Sequence, residues 1–132
     1  MLKTKNHSKR NARAEIRKLE KQADALFQIR MKEKYPYSIL SGQPTEVIHH
    51  FIPKSQSNNL RYDEKNACPC TNGEHFRHHN TSDPSLSIAF IKDRGQKYID
   101  DLNFRRHQIC KHTKQYLEEI INDLMDSKSL PF

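Results

Sequence analysis

The sequence predicts an α+β protein: a compact strand–loop–strand–helix unit set between helical flanks. Three observations lead there. An apolar row recurs every three to four residues from Ala12 to Leu26, and a second from Ile109 to Leu124, each with the period of an amphipathic helix. Between them, YSILSGQPTEVIHHFIP combines turn formers with β-branched residues. The chain of 132 residues is 34% hydrophobic, below the usual range for a globular domain. A large core is therefore not expected, and part of the chain should be exposed or docked on a partner.

The first element is a helix over Asn11–Lys34, with Ala12, Ile16, Leu19, Ala23 and Leu26 as its apolar stripe. Residues 1–10 carry no stripe and are expected to be mobile without a partner. Tyr35-Pro36 ends the helix, because a residue before proline avoids the α region. Ser41-Gly42-Gln43-Pro44 signals a turn, and Val47–Ile52 reads as a strand. KSQSNNLRYDEKN is a polar loop, and a short strand at about Ala67–Cys70 pairs back onto Val47–Ile52. Asn72-Gly73 marks a turn or a helix start, and His75–Asn80 the first turns of a helix. Asp83-Pro84 opens another helix over Ser85–Lys92, with an acidic cap and proline at the first helical position. Gly95 breaks it, and Gln96–Leu102 forms the next. A long helix over Phe104–Met125 carries Ile109, Thr113, Tyr116, Ile120 and Leu124 and can pack on the N-terminal helix. The chain thus divides into a basic arm and helix (1–34), a ββα core (35–82) and a C-terminal helical segment (83–132).

Charge is unevenly placed. Residues 1–34 hold 11 Lys and Arg against 4 Asp and Glu, a net of +7, while residues 35–132 hold 12 of each. A concentrated basic arm is the footprint of a nucleic-acid binder; a solvated helix face with a ragged basic terminus is the alternative. No apolar run approaches the roughly 20 residues that span a bilayer, so no membrane association is expected. The basic N-terminus has no apolar segment after it, so it does not read as a secretory signal, and a cytoplasmic address is expected. The cysteines are Cys68, Cys70 and Cys110; the odd count argues against a disulfide framework. Cys68 and Cys70 are too close for a C-x-x-C knuckle and read as buried reduced thiols rather than zinc ligands.

TEVIHHFIP sets His49 and His50 side by side. Strand neighbours point to opposite faces, so either one faces the core and the other water, or the backbone bends and both serve a site. Five histidines fall within the 31 residues His49–His79: His49, His50, His75, His78 and His79. His75 and His79 are four apart, share a helix face and can bind one metal; His78, three from His75, is a rival. One histidine from the hairpin completes three imidazoles and leaves a coordination position for water or substrate. His49 would then ligate, while His50 accepts a proton from water, a role suited to an imidazole titrating near neutrality. A His-rich surface with accidental clustering is the alternative.

EVIHHFIPKSQSNNLRYDEKNACPCTNGEHFRHHN resembles the ββα-metal motif of the His-Asn-His (HNH) endonucleases. In that family a His-His or Asp-His pair precedes an apolar-x-Pro strand, an asparagine follows a loop, and a histidine lies nine residues beyond it. Here those positions are His49-His50, Asn66 and His75, and His79 matches the additional helical histidine of the nuclease colicins. LRYDEKN and KDRGQKYIDDL resemble small phage-encoded HNH proteins in particular, and the likeness covers about residues 37–103. The resemblance implies that His49, His75 and His79 are metal ligands, that His50 is the general base, and that Asn66 braces the histidine loop through side-chain hydrogen bonds. The chain departs from the family in one respect. Many members brace the motif with four cysteines, which would fall near Ser38 and Ser41 and at Thr71 and Glu74. None is cysteine, so no structural zinc is expected, and packing of the flanking helices is expected to do that work.

The implied activity is that of a metal-dependent DNA endonuclease. His50 would take a proton from the attacking water, and one divalent ion (Mg²⁺, Mn²⁺, Ni²⁺ or Zn²⁺) would stabilise charge on the phosphoryl and leaving 3′ oxygens. Imidazole ligands favour zinc or nickel by affinity. Glu46, Asp63 and Glu74 are candidates to orient a ligating histidine. Phosphate contacts are expected from Lys3, Lys5, Lys9, Arg10, Arg13, Arg17 and Lys18 on the arm, and from Arg61 and Arg77 beside the motif. The expected partners are DNA, as duplex, and either a second copy in a homodimer or a larger phage complex. The rival reading is a non-catalytic metal-binding and nucleic-acid-binding module, or an accessory subunit of a phage packaging or recombination complex. His50 argues against a binding-only module, which has no need of a base beside a ligand.

Overall fold

In a computed structural model, residues 2–126 are described, with side chains from residue 8 onward. Helix α1 runs Leu2–Lys34, starting well before the expected Asn11. The added turns contain no Pro or Gly, and their Lys and Arg residues are good helix formers. Residues 8–15 are exposed all round, while Ala23, Phe27 and Met31 are buried. Of the predicted stripe only Ala23 is buried; Ile16, Leu19 and Leu26 are half-buried and Ala12 is exposed. The buried row steps by four residues, so it drifts off the row that starts at Ala12. The side chains of Lys3 and Lys5 lie outside the described residues.

The remaining elements are β1 (Val47–His50), a 3₁₀ turn (Glu64–Asn66), β2 (Ala67–Cys70), α2 (Asn72–Asn80), α3 (Ser85–Arg94), α4 (Gln96–Arg105) and α5 (Lys114–Met125). The protein is therefore α+β, with five helices and one two-stranded sheet among the described residues. No described helix is long and apolar enough to cross a membrane. The chain forms two units: Gln28–Lys111, and Met1–Phe27 together with His112–Phe132.

The Gln28–Lys111 unit is built on the hairpin. β1 and β2 are antiparallel, with Val47 opposite Cys70, Ile48 opposite Pro69, His49 opposite Cys68 and His50 opposite Ala67. One core cluster joins Ile52, Leu60, Cys68 and Cys70 to Leu86, Phe90, Ile99 and Leu102 of α3 and α4. Phe51 stacks on Phe90 with ring centres 4.4 Å apart. Each such Leu, Ile or Phe contributes about 1.5–3 kcal/mol when fully buried. Cys68 and Cys70 are free thiols inside this core, and burial pushes both well above the ordinary thiol range. Gly95 adopts φ +90°, a conformation L side chains rarely take, and separates α3 from α4 as its place in the sequence predicts.

Helix α2 begins on a capping box. The Thr71 hydroxyl accepts from the Glu74 N–H (3.2 Å), and the Glu74 carboxylate accepts from the Thr71 N–H (2.8 Å). The Ser38 hydroxyl donates to the same carboxylate at 2.6 Å, and the Leu40 and Ser41 N–H groups donate back to Ser38 Oγ. Residues 38, 41, 71 and 74, the positions where the resemblance would put cysteines, thus meet around one buried carboxylate. Packing of flanking helices is not the whole brace; a hydrogen-bonded cluster shares the work. Burial favours a neutral Glu74, but bonds from Ser38, Thr71 and Ser41 outweigh it and hold the carboxyl below its usual range.

In the other unit, α5 is shorter than the expected Phe104–Met125 helix. Phe104 belongs to α4, residues 106–113 are irregular, and Ile109 is 99% exposed rather than part of a stripe. Thr113 caps α5 by accepting from the Tyr116 N–H at 3.1 Å. The break has a physical cause: Ile, Thr and His are weak helix formers, and a threonine hydroxyl serves better as a cap than inside a helix. Leu117 and Leu124 supply the buried face. His112 Nδ1 lies 2.7 Å from Glu20 Oε2, and Lys114 Nζ lies 3.0 Å from Glu15 Oε1, so α5 does meet α1.

Candidate metal centre

Strand β1 carries His49 inward, and α2 carries His75 and His79 on one face, one helical turn apart. The three offer one nitrogen each within 4.8 Å of one another. His75 Nε2 and His79 Nε2 are 2.9 Å apart, and the His49 ring centre lies 5.2 Å and 5.3 Å from theirs. For metal–nitrogen bonds of about 2.0–2.1 Å, ligand nitrogens sit roughly 3.0 Å apart in octahedral geometry and about 3.4 Å apart in tetrahedral geometry. The spacing of the helical pair fits two ligands of one cation, and equally a hydrogen bond between the two rings.

His49 provides an independent test of fit. It is 5% exposed, and its Nε2 is buried with no hydrogen-bond partner. A buried nitrogen without a partner, on a ring 5.2 Å and 5.3 Å from two other imidazoles, fits a ligand of a cation held among them. Burial, then the neighbouring His78, His75, His79 and His50, push the His49 ring down to about 3. Burial and the other two helical histidines also lower His75. Both rings are thus neutral near pH 7, the form that binds metal. His78 packs edge-on against His49 at 4.7 Å with its own Nδ1 buried and unpartnered, but it stands outside the converging triad.

His50 is half-buried, and its Nε2 lies 2.8 Å from the Arg61 carbonyl oxygen. A carbonyl only accepts, so Nε2 carries the proton and, in the neutral ring, Nδ1 keeps the lone pair. Strand alternation separates the two adjacent rings, yet His49, His50, His75 and His79 all line one cleft of about 390 Å³. Val47, Ile48, Gln28, Pro53, Lys54 and Ser55 complete its wall.

Asn66 closes the loop that joins the strands. Its Oδ1 accepts from the Ile52 N–H (2.8 Å), and its Nδ2 donates to the Ile52 (2.9 Å) and Leu60 (3.3 Å) carbonyls. The Asn66 carbonyl also accepts from the Phe51 N–H at 3.0 Å. A fully buried amide thus ties down the chain just past the histidine pair. The candidate orienting carboxylates are committed elsewhere: Glu46 to the Asn72 N–H, Asp63 to the Lys65 N–H and Arg105, and Glu74 to the cap cluster.

The predicted phosphate contacts are dispersed. Lys9, Arg10, Arg13, Arg17 and Lys18 are exposed on α1. Arg61 is half-buried over the Tyr62 ring at 5.6 Å, and its carbonyl is the group that meets His50. Arg77 is exposed and lies 3.8 Å from Asp83. Sequence reasoning missed Gln28, Lys54 and Ser55. It also missed the capping box, which Thr71-x-x-Glu74 spells out openly.

No protein-family model matches the chain significantly, nor does any curated protein or solved structure.

Proposed function

We propose that the protein is a metal-dependent DNA endonuclease of the HNH type. The observation that carries this reading is the pairing of two imidazole roles in one cleft: a converging triad beside a histidine whose Nε2 is held by a carbonyl. The Asn66 clamp and the meeting of positions 38, 41, 71 and 74 support the ββα-metal register, because that register assigns a bracing role to the same positions.

His50 Nδ1 takes a proton from a water molecule, whose oxygen forms a bond to phosphorus as the bond from phosphorus to the 3′ oxygen breaks. The Arg61 carbonyl steadies the imidazolium that results, because Nε2–H continues to donate to it. A divalent ion held by His49, His75 and His79 would supply Lewis-acid stabilisation of the charge developing on the phosphoryl and leaving oxygens. Asn66 holds the backbone after His50 so that the base keeps its distance from the triad. Lys54, which lines the cleft, would meet a phosphate oxygen. The exposed arm residues of α1 add contacts that position DNA without reading its sequence.

The test is cleavage of supercoiled plasmid by purified protein in EDTA, Mg²⁺, Mn²⁺, Ni²⁺ or Zn²⁺. Wild type should cut only with metal. His50→Ala should retain metal affinity and lose about 10²-fold or more in rate, the usual worth of a general base. If wild type binds metal yet cuts neither DNA nor RNA, the nuclease reading falls, and a non-catalytic metal-binding module takes its place.

A further inference from the structure

We propose that Gln28 is a positioning residue for His49, acting through the backbone of Ile48. Gln28 Oε1 accepts from the Ile48 N–H at 2.9 Å, and Gln28 Nε2 donates to the Ile48 carbonyl at 2.8 Å. One side-chain amide therefore takes both main-chain groups of the residue directly before His49, as a neighbouring strand would.

The need for this clamp follows from the pairing. Ile48 stands opposite Pro69 in the strand register. In an antiparallel ladder, alternate residues turn their N–H and C=O away from the partner strand. With both its polar groups on Gln28, Ile48 is such a residue, on the outer edge of β1. Its side chain is buried, so leaving both groups unsatisfied would be costly.

A metal-ligating histidine is normally oriented by donating its second ring N–H to a carboxylate or carbonyl oxygen. The three acidic side chains that the sequence offered for that role are engaged elsewhere. Support for His49 comes instead through the main chain: Gln28 fixes Ile48, and the peptide that follows sets where the His49 ring meets His75 and His79. Gln28 also lines the cleft, so the clamp sits at the site it serves. This inference rests on the metal-site reading above and adds to it the residue that holds one ligand in place.

The test compares wild type with Gln28→Met, which keeps the length and helix propensity of the side chain and removes both bonds. Zn²⁺ binding is followed by calorimetry, and the metal-free proteins by imidazole NMR and amide exchange. The expected result is a roughly tenfold or greater loss of Zn²⁺ affinity. It should come with displaced His49 ring resonances, faster exchange at the Ile48 amide and an unchanged helical signal. Faster Ile48 exchange with His49 resonances and Zn²⁺ affinity both unmoved would overturn the proposal and leave Gln28 as a seal on a strand edge. If wild type takes up no Zn²⁺, the metal reading fails, and the His49 resonances of the two metal-free proteins decide the role of Gln28. If the variant loses its helical signal, wild type decides: Zn²⁺ loading should slow Ile48 exchange, because coupling between two sites is reciprocal, and no change would refute the coupling.

Discussion

His49 keeps an uncharged ring because burial and four neighbouring histidines all make a proton costly there. The consequence for stability has a definite sign. In the unfolded chain the ring titrates at its ordinary 6.5, and in the folded chain at about 3. Between those values the unfolded state binds more protons, so acid favours unfolding, by up to about 1.4 kcal/mol per pH unit for one proton. The contribution is complete above 6.5 and is lost as pH falls toward 3; His75 adds in the same direction. Glu74 starts from 4.5 and is held lower, so its loss comes at more acid pH, and the span from 6.5 to 4.5 belongs to the histidines. The urea midpoint of metal-free protein should fall from pH 7 to pH 5, and His49→Leu should make that fall shallower. The histidine pair was legible in the sequence because two adjacent imidazoles already pose a chemical question. Asn66 was legible only through its nine-residue spacing to His75. Gln28 was not legible at all: its partner lies 20 residues away, and a lone amide on a helix has no period to betray it.

Helix α2 carries two of the three triad nitrogens, so the firmness of its first turn governs the site. That turn rests on the Glu74 carboxylate, which takes bonds from Ser38 and the Thr71 N–H. Ser38→Ala removes a buried hydrogen bond to a charged group and should cost about 1.5–3 kcal/mol in a denaturant melt. Thr71→Ala removes a helix cap and should cost about 1 kcal/mol. Either change should also weaken metal binding, which a Co²⁺ titration would reveal. The first strand was readable from its β-branched run, the second only as the short segment that pairs back onto it, and α3 and α4 from the break at Gly95. The helix expected over Phe104–Met125 was misread because Ile109 and Thr113 happened to extend an apolar spacing across a stretch of weak helix formers. Periodicity counts residues but does not register that a threonine has become a cap.

The formal charge of +7 lies wholly within residues 1–34, and the rest of the chain balances. Arg10, Arg13 and Arg17 follow one face of α1 at intervals of three and four, with Lys9 and Lys18 beside them, all exposed. Replacing these five by glutamine keeps a good helix former at each position and removes five cations. On duplex DNA the log–log salt slope of binding should then shrink by about four to five units; a slope that stays put would assign binding to another surface. The location of this charge was plain in the sequence, but the start of its helix at Leu2 was not, because the first ten residues show no stripe. A final property follows from the hairpin. At its midpoint both flanks are occupied, Ile48 by Gln28 and the Pro69 carbonyl by the Ile39 N–H. An open two-stranded ribbon is a template on which further chains stack strand upon strand into fibres. Here that template is blocked on both sides at its midpoint, which works against the stacking of further chains on the sheet that carries His49 and His50.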